Sequence, residues 1–259
     1  MSDSNPRATA NASSNVLEVR FGSATAAENL RHAIETGEII EAEDGTLRLK
    51  PADHPVNAVV VSHGPPLGCA FLMYVLFRQV YAQSAVPYGC KDCYKVKVVF
   101  HTLRELVAGW TVGQRVACRS KWGVDLDNPY SQSVYAGYFY TDGLDAARAV
   151  YKVVRDAFDA DRLLGPAVAM SIKRGCSEYE AALGPSDRYE FRPELVAIEA
   201  ALRARFRSTP PADTGNLPLA HWIDVAFRIG DDTYLDFTGG KPLRPKTVSY
   251  DPAPPAGPT

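Results

Sequence analysis

Residues 134–172 constrain the fold of this 259-residue chain more than any other stretch. Val134 to Tyr140 is rich in β-branched and aromatic residues and predicts a strand. Asp142-Gly143 then opens a run in which Leu144, Ala147, Val150, Val154 and Phe158 recur every three or four positions, the spacing of one helix face. Leu164-Gly165-Pro166 stops that helix, and Ala167 to Ile172 reads as a second strand. A strand–helix–strand unit of this kind makes its two strands parallel, with a right-handed crossover.

The flanking sequence adds antiparallel signals. Ile39 to Lys50 predicts a hairpin around Glu43-Asp44-Gly45, because Asp-Gly suits turn positions of positive φ. His221 to Ile229 and Thr233 to Phe237, separated by Gly230-Asp231-Asp232, predict a closing hairpin. Val16 to Phe21, Ala58 to Val61 and Val96 to Phe100 read as strands. Thr25-x-x-Glu28, Thr102-x-x-Glu105 and Ser177-x-x-Glu180 have the pattern of helix capping boxes. Leu195, Ile198, Leu202 and Phe206 mark one more amphipathic helix. The expected class is α/β to α+β, one domain over residues 15–250 on a mixed sheet with hairpins at both ends. Residues 1–14 and the Pro-rich 251–259 are expected as disordered tails.

Charge and hydropathy exclude some functions. A net charge of −2 provides no overall basic field for nucleic acid. Ala70 to Val80 is the most apolar stretch, but a membrane-spanning helix needs roughly 20 such residues, and Arg78 and Gln79 interrupt it. It reads as a buried core helix. The first residues lack the apolar core of a signal peptide, so a cytoplasmic location with reduced thiols is expected.

Five cysteines then need a role. Cys90 and Cys93 form a Cys-x-x-Cys pair flanked by Lys91, Lys95 and Lys97; Cys118 lies among Arg115, Arg119 and Lys121; Cys176 follows Lys173 and Arg174. Cys176 falls just past a predicted strand and before a predicted helix, on the edge of an open sheet where ligand sites gather. Four thiolates around an iron–sulfur cluster or a zinc ion carry net negative charge, which such cations would offset. Structural zinc usually pairs two short-spaced knuckles, and only one is present here. Single cysteines scattered over a prefolded domain suit a [4Fe–4S] cluster better, held by Cys90, Cys93, Cys118 and Cys176. Cys69, between Gly68 and Ala70-Phe71, reads as a core cysteine with a reserve role as ligand.

The expectation is therefore a [4Fe–4S] protein, with an anionic small molecule or an electron-transfer partner, no nucleic acid and no membrane. Arg174 and Lys121 are the candidates for holding an anion beside the cluster, in an oxidoreductase or lyase. Two alternatives stand: a zinc-binding interaction protein, and a metal-free enzyme using Cys176 as a reactive thiolate. His63 and His101 lie at strand ends but lack a nucleophile elbow, Ser186 and Asp187 read as turn residues, and Tyr138 and Tyr140 share one sheet face.

Overall fold

The computed structural model describes residues 16–51, 58–61, 68–126, 133–207, 217–245, 248 and 250. Both expected tails, 1–14 and 251–259, and the segment 62–67 with His63 lie outside these. The class is mixed helix and sheet. Among the described residues, nine strands form three sheets: the small hairpin β1 (Arg20–Phe21) with β2 (Ala24–Thr25), the hairpin β3 (Ile39–Glu41) with β4 (Leu47–Leu49), and a five-stranded sheet. The last contains β5 (Ala58–Val61), β6 (Cys93–Phe100), β7 (Ser120–Val124), β8 (Tyr135–Asp142) and β9 (Ala169–Arg174), in the order β5-β7-β8-β6-β9.

The strand–helix–strand unit is present with a modification. β8 and β9 both pair antiparallel with β6, so they run parallel to each other with β6 inserted between them. Every neighbouring pair in the sheet is antiparallel, and the mixed sheet expected from the sequence is replaced by a split β–α–β arrangement. The β3–β4 hairpin closes as expected, with Gly45 at φ +78° and the Asp44 carboxylate accepting from the Thr46 amide at 2.9 Å.

The expected C-terminal hairpin does not form. Residues Leu219–Ile229 are an α-helix and Asp232–Phe237 a 3₁₀ turn. Trp222, Val225 and Ala226 explain why: their three- and four-residue spacing buries one helical face, and Gly230 ends the helix in a left-handed cap.

In chain order the helices are α1 (Ala26–Glu35), a π-helix (Phe71–Val80), α2 (Leu103–Gly113), α3 (Leu144–Asp159), α4 (Ser177–Leu183), α5 (Leu195–Arg205) and α6 (Leu219–Ile229). The Thr25 and Thr102 capping boxes form in full. At α4 the N-cap is Cys176 and no side chain caps the helix. Ser177 and Glu180 instead receive the Lys173 ammonium, at 2.8 and 2.9 Å.

Two cores result. Val96, Val98, Phe100, Trp122 and Phe139 on one sheet face pack with residues of α2, α3 and α6. The other core is built from α1, the β3–β4 hairpin, the π-helix and α5, and takes in Tyr179 of α4. The π-helix buries seven of its ten residues here, as its apolar sequence predicts. Cys90 belongs to this core and Cys118 to the other.

Candidate functional site

A cavity of about 690 Å³ opens at one edge of the five-stranded sheet, and Cys69, Cys90, Cys93, Cys118 and Cys176 all line it. The topology explains the convergence. Because β6 is antiparallel to β8 and β9, its first residue, Cys93, pairs with Asp142 at the end of β8, and Tyr94 pairs with Arg174 at the end of β9. β7 starts at this same edge, two residues after Cys118, and β5 ends there. The Gly175 amide donates to the Cys93 carbonyl at 2.9 Å, which brings Cys176 alongside Cys93. Gly175 has φ +68°, and an added Cβ would lie 3.2 Å from the Tyr179 ring, so only glycine makes this turn without strain.

The Cys90 side is held from α5. The Glu199 carboxylate accepts from the Tyr88 amide at 2.6 Å and the Gly89 amide at 2.9 Å, anchoring the 3₁₀ turn Tyr88–Cys90. Burial pushes the Glu199 pKa up, against these two amides and the Tyr81 hydroxyl, which favour the charged form. Arg174 closes the turn from the other side by donating to the Lys91 carbonyl at 2.7 and 3.2 Å, with its guanidinium 4.5 Å from the Phe191 ring centroid.

Four of the thiols act on one another. Burial raises the pKa of Cys69, and that of Cys93 to about 11; for both, proximity to Cys176 adds to the rise. Burial raises Cys90 further, with Cys176, Cys93 and Cys69 all contributing and the Tyr179 hydroxyl opposing. The Tyr179 hydroxyl and Cys90 Sγ are 3.3 Å apart, in a hydrogen bond that either could donate. Cys118 stands apart from this set. Burial raises it, and its S–H donates to the Tyr140 carbonyl at 3.3 Å. Burial thus favours the protonated forms of Cys69, Cys90, Cys93 and Cys118, and metal binding to such thiols releases protons.

Lys95 is the cation built into the site. It is 7% exposed, its Nζ donates to Cys176 Sγ at 2.9 Å, and it lies 5.3 Å from the Tyr140 ring centroid. Burial pulls its amine down, but the facing Cys176, Tyr140 and Cys93 groups outweigh that and hold it well above the ordinary lysine range.

The expected cysteines Cys90, Cys93, Cys118 and Cys176 thus share one cavity, and Cys69 joins them instead of being enclosed in the core. Arg174 and Lys121 do not line it. Arg174 is occupied with the Lys91 carbonyl, and Lys121 lies on β7 opposite Tyr138. The cations on the cavity wall are Lys91 and Arg119. Tyr140 forms part of the wall, while His101, Ser186 and Asp187 do not. Tyr179 and Glu199 escaped the sequence reading as site residues, and Lys95 entered it only as one of the cations flanking the Cys pair. Strand alternation from Cys93 puts Lys95 on the same face, the signal that could have singled it out.

Among the described residues, no group of three or more His, Cys, Asp or Glu side chains is arranged to hold a metal ion. No described helix is long and apolar enough to cross a membrane. No protein-family model, curated protein or solved structure matches this chain.

Proposed function

We propose that this protein binds a [4Fe–4S] cluster in the cysteine-lined cavity, with Cys69, Cys90, Cys93 and Cys176 as its ligands. The observation that carries this reading is the gathering of thiols from three separated segments around one cavity of about 690 Å³. A single zinc ion draws its sulfurs in to about 2.3 Å. Thiols spread around a roomy cavity suit a bulkier soft-metal group better. Cys118 is assigned outside the ligand set because its S–H is used by the Tyr140 carbonyl and it packs in the other core. This revises the ligand set expected from the sequence by one residue.

A bound cluster would supply one-electron transfer, or Lewis acidity at an iron left without a cysteine. Lys91 and Arg119 on the wall give an anionic small molecule charged groups to meet. Anaerobically purified full-length protein, reconstituted with iron and sulfide, is expected to be brown and to hold the two elements in comparable amounts. A colourless protein with one tightly held zinc would overturn the proposal. The 2.9 Å contact between Lys95 and Cys176 supports a second reading, a metal-free enzyme with Cys176 as nucleophile. An iron-free protein in which Cys176 alone is rapidly alkylated would select it.

A further inference from the structure

We infer that Lys95 is the fixed counter-cation of the cysteine cavity and raises the reduction potential of the group bound there. This rests on the cluster reading above. Lys95 lies on β6, hydrogen-bonded on both sides, opposite Tyr140 of β8 and Lys173 of β9. Its backbone cannot swing out to solvent without breaking the middle of the sheet. Its side chain is 7% exposed, and its described partners are a sulfur and an aromatic ring, not a carboxylate.

Such a burial opposes folding, because an ammonium taken from water needs a compensating charge. In the metal-free chain Cys176, Tyr140 and Cys93 are the groups that face it. With four thiolates around a [4Fe–4S]²⁺ core the site is anionic, and a one-electron reduction makes it more so. No bond is made or broken in that step; an external low-potential donor is oxidised and the cluster gains the electron. A nearby positive charge favours the more negative state, and a hydrogen bond to a ligand sulfur acts in the same direction. Lys95 supplies both from one atom.

The test compares the wild-type protein with Lys95→Met and Lys95→Gln, each reconstituted anaerobically with iron and sulfide and titrated with dithionite while visible absorbance is followed. Lys95→Met is expected to load the cluster and to shift the reduction equilibrium at least tenfold toward the oxidised form, about 59 mV for one electron. Lys95→Gln, which keeps a neutral donor, should fall between the two. Loaded variants with an unchanged potential would overturn the role of Lys95 and leave the cluster reading intact. Failure of both metal-free variants to fold, seen by circular dichroism, would make Lys95 a structural residue and overturn the inference. Folded variants that no longer take up iron would likewise reassign Lys95 to assembly. A wild-type chain without iron or sulfide would remove the cluster reading itself.

Discussion

Cys69 and Cys118 separate the two possible ligand sets most directly. Both are thiols on the same cavity, and both have pKa values raised by burial. Cys69 responds to Cys176, Lys95, Arg119 and Lys121, whereas Cys118 responds to its own burial and to a backbone carbonyl. Replacing each by serine changes a sulfur to an oxygen of similar size. Cys69→Ser is therefore expected to lose most of its iron and sulfide after reconstitution, and Cys118→Ser to retain both at the wild-type level. Metal analysis of the two purified variants side by side decides it, and the opposite result would restore Cys118 as the fourth ligand. Part of the site was legible because lysines and a Cys-x-x-Cys pair are local features. Cys69 was not, because its neighbours Leu67, Gly68, Ala70 and Phe71 are what a core cysteine would also have. Its place beside Cys176 is a long-range proximity that no short window contains.

At the scale of elements, the 3₁₀ turn Tyr88–Cys90 depends on a helix more than a hundred residues away. Glu199 of α5 accepts both amides at its start, and Gly89 leaves room for the carboxylate, since an added Cβ there would lie 3.1 Å from Glu199 Oε2. Glu199→Ala would leave two backbone donors without their acceptor, at a cost of about 1–3 kcal/mol. Urea unfolding should show that loss, and iron retention should fall with it because Cys90 is no longer held in position. Unchanged stability and unchanged iron content would mean that water replaces the carboxylate at no cost. The elements themselves were readable where the signal is local. The capping boxes at Thr25 and Thr102, the Asp44-Gly45 turn and the amphipathic stripe of α3 all rest on neighbours within a few residues. The insertion of β6 between β8 and β9 was not readable, since either neighbour order leaves those two strands parallel. The C-terminal hairpin was misread for another reason. Gly230-Asp231-Asp232 has turn chemistry, and the turn is there, but it joins a helix to a 3₁₀ segment.

Over the whole molecule, that same turn fastens the C-terminal segment to the sheet through Asp231. One carboxylate oxygen accepts from the Leu103 amide at the start of α2, at 2.6 Å, and from the Tyr135 hydroxyl of β8, at 2.8 Å. The other accepts from the Thr233 amide at 3.0 Å and the Thr233 hydroxyl at 2.7 Å. Burial works to raise the Asp231 pKa, but the Leu103, Thr233 and Tyr135 donors together outweigh it and hold the carboxyl below its ordinary value. Below the ordinary aspartate pKa of about 3.9 the unfolded chain binds a proton that the folded protein refuses. Stability from this group is therefore complete above that pH and is lost as pH falls through the lower folded value. Asp231→Asn keeps the shape but replaces one acceptor with an amide donor, which at neutral pH should cost about 1.5–3 kcal/mol for a bond to a charged group. The difference in urea stability between the two chains should hold from pH 6 down to about 4 and narrow as pH falls below that. Because both chains are compared at each pH, contributions common to them, including any from the cysteine cavity, drop out. A difference that stayed constant with pH would mean that the Asp231 charge is not what holds the C-terminal segment, leaving the packing of Trp222, Val225 and Ala226 against the second core to do so.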